Sequence, residues 1–159
     1  MRLTQLNQIV ESAGDKQDAK PVGDLTLHRG QLLSDDAWQS EKAAQTAAHL
    51  ARTELQDYRH FYAQQADIRA WMNQETYVWA ALRVLEGSPG RLAATDVTLV
   101  RQNLQVARSL NALIVWNAKD QLALGSKLGA QPETVDAARV ATACAPLKRE
   151  PPSLPFTRF

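Results

Sequence analysis

The residues of this sequence whose types and spacing come closest to a chemical site are Glu54, Asp57 and His60, each three residues from the next. This spacing puts them on one face of a helix, and bundle metal sites use such carboxylate–histidine pairs. Those sites also take a second pair from a facing helix, and residues 95–145 contain no histidine. His49 lies eleven residues before His60, on roughly the same face. The sequence therefore predicts a solvated polar face and no bound metal.

No other set of residues is typical of a catalytic site. None of the three histidines has an obvious nucleophile as a partner, and His28 is followed by Arg-Gly in a predicted loop. A phosphate-binding glycine loop, a nucleophile elbow and a metalloprotease motif are all absent from the sequence. Cys144, the single cysteine, stands among small residues and is predicted to be a buried side chain, not a reactive thiolate. We therefore predict a protein that is not an enzyme and needs no cofactor.

Composition and charge are those of an ordinary globular protein. The chain has 159 residues, 45% hydrophobic and 22% charged, which is enough for one domain with an apolar core. A formal net charge of +1 excludes the strongly basic balance of a histone-like or ribosomal protein. Residues 1–100 carry ten basic and thirteen acidic side chains, whereas residues 101–159 carry eight and four. Only the C-terminal part therefore has the charge to face a polyanion.

Three features of the sequence predict a cytoplasmic protein with no membrane partner. The first residues, MRLTQLNQIVESAG, lack the apolar run and the small-residue cleavage site of a signal peptide. The longest fully apolar run, ALIVW at residues 112–116, is far shorter than the ~20 residues of a membrane span. A lone cysteine can form no internal disulfide, so nothing indicates an oxidising compartment.

The spacing of apolar residues predicts a first short helix and then a long one. The first helix ends near Gly14, and a long loop follows it to residue 33. Ser34 or Asp35 then caps a helix that continues for about fifty residues without glycine or proline. Its apolar stripe is heptad-like at first and then changes face, which predicts a bend or a break near residues 62–68. The heptad-like part consists of Ala44, Ala48, Ala51, Leu55, Tyr58 and Tyr62.

A second long helix and a last short one complete the predicted fold. Thr95 or Asp96 caps the second long helix, Gly129 closes that region, and Pro132 begins the last helix. The core side of the second long helix is predicted to consist of Val97, Val100, Leu104, Ala107, Leu110 and Ile114.

The predicted fold is therefore all-α, an antiparallel helical bundle with one long bent helix and a short C-terminal helix. Residues 1–145 are predicted to form a single helical domain, with an N-terminal helix and loop over residues 1–33 and the bundle over residues 34–145. The prolines after residue 145 predict an extended, proline-rich tail over residues 146–159.

The aromatic residues are concentrated in the first long helix. Six of the ten in the chain lie between residues 58 and 79, and they point in several directions around a helix. One core cannot easily bury them all, and Trp and Tyr are favoured anchors at protein interfaces. We therefore predict that part of this cluster lies at an interface: Tyr58, Phe61, Tyr62, Trp71, Tyr77 and Trp79.

The segment LGSKLGAQPETVDAARV, residues 124–140, contains the pattern of a helix-turn-helix. Gly125 is small where two helices would touch, and Gly129 can adopt the positive φ of the turn. The run SKLGAQPETV resembles the LGVSPETV type of element found in many bacterial transcription regulators. Two ordinary bundle helices joined by a glycine turn satisfy much of the same pattern. For residues 120–142 the resemblance implies DNA binding, with contacts from Lys127, Gln131, Thr134, Arg139, Lys148 and Arg149.

The sequence thus predicts a function in binding. The first interpretation is a helical interaction or scaffold protein that binds a protein partner or self-associates as a homo-oligomer. The alternative is a small DNA-binding regulator that uses the helix-turn-helix at residues 120–142. A third interpretation is the helical portion of a sensory receptor.

Overall fold

The structure of the protein is a computed structural model that describes residues 2–13, 25, 34–86, 94–131, 136–143 and 145. No β-strand occurs in this part of the chain, so the prediction of an all-α fold is confirmed. In the described residues no helix is both long enough and apolar enough to span a membrane. The helices are α1 (Arg2–Ala13), α2 (Asp36–Ala43), α3 (Arg52–Leu82), α4 (Ala94–Lys127) and α5 (Ala137–Ala143), with 3₁₀ turns at Thr46–His49 and Arg83–Leu85.

The described residues fall into two compact units, and the two long helices contribute to both. Unit 1 contains the described residues within 1–28, 75–109 and 135–159, and unit 2 contains those within 29–74 and 110–134. The division therefore crosses α3 and α4 instead of falling in a loop. The single domain over residues 1–145 stays a prediction, and the predicted tail over residues 146–159 lies outside the described residues.

Unit 1 is built around apolar side chains from α1, α3 and α4. Two hydrogen bonds connect residues that are distant in sequence: Arg2 Nε donates to the carbonyl oxygen of Ala145 at 3.2 Å, and the Leu25 N–H donates to the Glu86 carboxylate at 2.6 Å. The predicted core side of α4 is confirmed by burial from Val97 to Leu110, while Ile114 is half-buried. The buried apolar residues of unit 1 are Leu6, Val10, Leu25, Val78, Trp79, Leu82, Leu85, Val97, Val100, Leu104 and Ala107.

In unit 2, α3 and α4 run antiparallel and very close together. The Lys127 Nζ lies 2.5 Å from an oxygen of Asp57. About one turn further along α3, a Cβ placed on Gly125 would lie 3.3 Å from Cε2 of Phe61. A later residue of α3 therefore contacts an earlier residue of α4, which is the antiparallel arrangement that the sequence predicts. Glycine at position 125 is what lets the aromatic ring approach the α4 backbone.

The long helix predicted after Asp35 is interrupted, and the interruption lies earlier than residues 62–68. Helix α2 ends at Ala43, Gln45 is left-handed with φ of 60°, and α3 begins at Arg52 and continues to Leu82. In one straight helix Trp38 and Tyr58 would be ~30 Å apart, yet their ring centroids are 5.9 Å apart. The chain must turn back to bring these rings together, and this tertiary contact overrides the good helix propensity of the alanine-rich segment between them. The heptad-like stripe predicted from Ala44 to Tyr62 is therefore not one helix face.

Helix α4 begins two or three residues before its predicted start and ends as predicted. It begins at Ala94, ahead of the predicted caps Thr95 and Asp96. At its end, the Ala130 N–H donates to the Gly125 carbonyl at 2.9 Å and the Gly129 N–H donates to the Ser126 carbonyl at 3.1 Å. This is the Schellman pattern, which requires a left-handed residue that Gly129 supplies with φ of 81°. Residues 132–135, where the last helix is predicted to begin, lie outside the described residues, and α5 begins at Ala137.

Candidate interaction surface and aromatic cavity

The residues considered for a metal site are not assembled into one. Asp57 makes an ion pair with Lys127, while Glu54 and His60 are exposed on α3. Among the described residues there is no group of three histidine, cysteine or acidic side chains that could hold a metal ion. The structure therefore places a polar, partly paired face at this position.

The residues implied in DNA contact are described only in part. Lys127 is the last residue of α4 and pairs with Asp57, and Gln131 is exposed just after the Gly129 turn. Arg139 lies in α5, whereas Thr134, Lys148 and Arg149 lie outside the described residues. The end of α4 belongs to unit 2 and α5 belongs to unit 1. The helix-turn-helix over residues 120–142 stays a prediction.

The six predicted interface aromatics lie in very different surroundings. Trp79 is buried, and its indole N–H donates to the Glu75 carboxylate at 3.3 Å, while Trp71 is half-buried. Tyr77 belongs to unit 1 and is 77% exposed at the surface of α3. The other three, Tyr58, Phe61 and Tyr62, are half-buried in unit 2.

An aromatic stack of Trp38, Tyr58 and Tyr62 joins α2 to α3 in unit 2. The Trp38 ring is nearly parallel to Tyr62 at a centroid distance of 5.0 Å and stacks on Tyr58 at 5.9 Å. Phe61 meets Tyr62 edge to face at 5.3 Å. Such ring pairs contribute about 0.5–1.5 kcal/mol each beyond the area they bury. The stack therefore holds α2 against α3, and Trp38 is a partner that the sequence analysis missed.

Charged groups beside the stack reinforce the same contact. Arg69 on α3 lies 3.3 Å from the Asp35 carboxylate at the start of α2. A hydrogen bond from Gln39 and the proximity of Arg69 hold the pKa of Asp35 below its ordinary value. Burial, together with Tyr58 and Asp35 nearby, raises the pKa of the Tyr62 hydroxyl. At neutral pH the stack therefore consists of neutral rings with a carboxylate next to them.

The part of α4 in unit 2 exposes an apolar stripe to solvent. At 3.6 residues per turn, its members fall within about one third of the helix circumference, opposite the side that carries buried Leu110, Asn117 and Gly125. Trp116 and Leu122 are 63% and 62% exposed, and Val115 is 45% exposed. We call this surface the outer stripe, and it consists of Ala112, Val115, Trp116, Lys119, Leu122, Ala123 and Ser126, all exposed.

The outer surface of α3 in the same unit is polar. Between residues 52 and 74 its exposed side chains are charged residues, amides, His60, Thr53 and alanines, with no large apolar residue among them. A surface helix normally follows that pattern, with polar residues on the side away from the core. The outer stripe of α4 departs from it, so it is the surface of unit 2 best suited to be covered by another molecule.

The sequence contained a pattern from which the outer stripe could have been found. Once the core side of α4 is assigned, the remaining apolar residues include those at 112, 115, 116, 122 and 123, and these five recur at helical spacing on the other side. The sequence analysis instead placed the interface in the aromatic cluster of α3. Most of that cluster is now accounted for by packing within each unit.

Comparison with protein-family models, with curated proteins and with solved structures finds no match for this chain.

Proposed function

We propose that this chain is a helical interaction protein that self-associates through the outer stripe of α4. The observation that carries the proposal is the exposure of Trp116 and Leu122, 63% and 62%, on the side of α4 away from its core. Fully burying one such side chain stabilises an interface by about 1.5–3 kcal/mol. Trp is also among the residues most enriched at the centres of protein interfaces.

A second copy of the chain fits the outer stripe because the stripe is complementary to itself. In a two-fold, antiparallel pairing centred on Lys119, Trp116 faces Leu122 of the second copy. The same pairing sets Val115 against Ala123 of the second copy, so that large side chains meet smaller ones. Asp120 follows Lys119 and is also exposed, so each lysine ammonium can extend along the surface to Asp120 of the second copy.

The length of the outer stripe limits the expected affinity of self-association. From residue 112 to 126 a helix extends ~22 Å, which is short for the ~800 Å² that each partner buries in a typical stable complex. We therefore expect weak, concentration-dependent association, with a dissociation constant on the order of 10–100 micromolar.

Sedimentation equilibrium across about 5 to 500 micromolar tests this proposal. The native chain is expected to shift from its 17.6 kDa monomer toward a dimer as the concentration rises. Leu122→Ser is expected to weaken the dimer at least about tenfold, because a leucine is lost from both copies. Tyr77→Ser is the matched control: it removes a more exposed apolar side chain outside the outer stripe and should leave the dimer unchanged.

A charge exchange tests the pairing itself. Lys119→Asp places acidic groups on both sides of the contact and is expected to weaken the dimer severalfold, whereas adding Asp120→Lys is expected to restore it. A chain that stays monomeric throughout would contradict the proposal. If that monomer retards duplex DNA at low salt, the DNA-binding function predicted for residues 120–142 replaces it.

A further inference from the structure

A cavity of about 250 Å³ lies beside the aromatic stack in unit 2. Its walls come from α2, from the 3₁₀ turn at Thr46–His49 and from the first turns of α3. The aromatic and polar side chains of the lining are Trp38, Glu41, Thr46, Tyr58 and Tyr62, and two alanines and a leucine complete it. Drug-sized ligands occupy pockets of about 300–1,000 Å³, so this cavity suits a smaller molecule.

We propose that this cavity binds a small organic cation of the alkylammonium class through its aromatic rings and the Glu41 carboxylate. Three of the lining side chains are the rings of the stack, and the faces of Trp and Tyr rings attract cations within about 6 Å. The protein already shows this attraction, because the Lys42 ammonium lies 5.9 Å from the centroid of the Trp38 ring. The site is separate from the outer stripe and does not depend on self-association.

The charged side chain in the cavity lining is acidic, as a site for a cation requires. Glu41 is the charged residue in the cavity wall, and no lysine or arginine is among the described residues that line it. The single hydroxyl hydrogen of Thr46 is shared between the Glu41 carboxylate and the Glu41 carbonyl oxygen, which lies 3.1 Å from the hydroxyl oxygen. This contact holds the carboxylate at the edge of the cavity.

The backbone that forms the cavity wall is strained. Gln45 has φ of 60°, and it is the one non-glycine residue with a positive φ in the described part of the chain. Left-handed backbone costs a side-chain-bearing residue about 1–3 kcal/mol and is concentrated at ligand clamps and active sites. Thr46 follows Gln45 directly, so the strained residue positions the wall that carries Thr46 and its bond to Glu41.

Choline and its neutral carbon isostere 3,3-dimethylbutan-1-ol form a pair of probes for this site. Each is titrated into the ¹⁵N-labelled full chain while the indole N–H of Trp38 and the backbone amides of residues 36–62 are followed by NMR. Choline is expected to bind with a millimolar dissociation constant and to shift these signals. The isostere should bind about three- to fivefold more weakly, because it has the same shape without the charge.

Two neighbouring substitutions move choline affinity in opposite directions. Glu41→Gln keeps an acceptor for Thr46 and is expected to weaken choline about three- to fivefold while leaving the isostere unchanged. Lys42→Gln removes a like charge near Trp38 and is expected to strengthen choline by about twofold. Both side chains are exposed, so neither change threatens the fold.

The proposal is overturned by either of two results. Equal binding of choline and the isostere would make the cavity a purely apolar site. No shift of the Trp38 signal at about 50 millimolar choline, with the native spectrum otherwise intact, would mean that no cation site exists.

Discussion

The amide nitrogen of Gln121 is buried in unit 2 and has no hydrogen-bond partner among the described residues. A buried donor left unsatisfied costs about 1–3 kcal/mol, and methionine has a similar length without a polar group. Gln121→Met is therefore expected to raise the free energy of unfolding by about 1 kcal/mol, measured by urea denaturation. Gln102→Met is the control, because Gln102 is exposed on the same helix and its replacement should change stability by less than about 0.5 kcal/mol.

A fall in stability with Gln121→Met would contradict this account, since it would show that the native amide is satisfied.

Two glycines illustrate what a sequence indicates about single residues. Sequence reasoning placed Gly125 at a helix contact and Gly129 in a left-handed turn, and both placements are confirmed. The close approach at Gly125 comes from Phe61 on α3, which is far away in sequence, and the predicted contact of Gly125 within the helix-turn-helix stays a prediction. A glycine in a helix predicts that another side chain packs against its backbone, but the identity of that side chain depends on how α3 pairs with α4.

At the scale of helices and turns, the break between α2 and α3 depends on Gln45. Its φ of 60° is accessible to glycine without steric cost, whereas a β-branched residue is strongly disfavoured there. Gln45→Gly is therefore expected to raise the free energy of unfolding by up to about 1 kcal/mol, and Gln45→Val to lower it by about 1–2 kcal/mol.

Thermal or urea unfolding measures both changes, and Gln102→Gly supplies the contrast. At that right-handed helical position glycine should lower stability by about 1 kcal/mol. If Gln45→Gly destabilised the protein as much as Gln102→Gly, residue 45 would be helical and α2 would continue into α3.

Helix α4 was predicted more accurately than the break between α2 and α3. For α4, the apolar spacing at Val97, Val100 and Leu104 identifies its buried side directly. Between α2 and α3 neither glycine nor proline marks the turn, and the local residues are good helix formers. The turn exists because Trp38 stacks on Tyr58 and Tyr62, and a contact between distant residues leaves no periodic trace in the sequence.

For the whole molecule, the distribution of buried apolar side chains differs sharply between the two units. Among the described residues, Trp38 and Leu110 are the buried apolar side chains of unit 2, while the rest belong to unit 1. Unit 2 also buries the amides of Gln65 and Asn117. Since local stability follows buried apolar contact, unit 2 is expected to open at a lower free energy than unit 1.

Native-state hydrogen exchange along α4 tests this difference within one helix. Amides of residues 97–107 are expected to exchange at least about tenfold more slowly than those of residues 118–126. Exchange at one common rate along α4 would show that the helix opens as a whole and would contradict the expectation. The division into two units had no counterpart in the sequence, because no linker, glycine or proline separates the two parts of either long helix.

The continuity of α3 and α4 through both units has a consequence for how their helical backbone arises. Starting a helix is unfavourable by a factor of about 10³, or ~4 kcal/mol, whereas each further turn is close to neutral. Unit 1 has the apolar contacts to stabilise the last turns of α3 and the first turns of α4, so the parts of both helices in unit 2 require only elongation. Unit 2 thus needs a smaller core than an isolated pair of helices, because both of its long helices are already nucleated in unit 1.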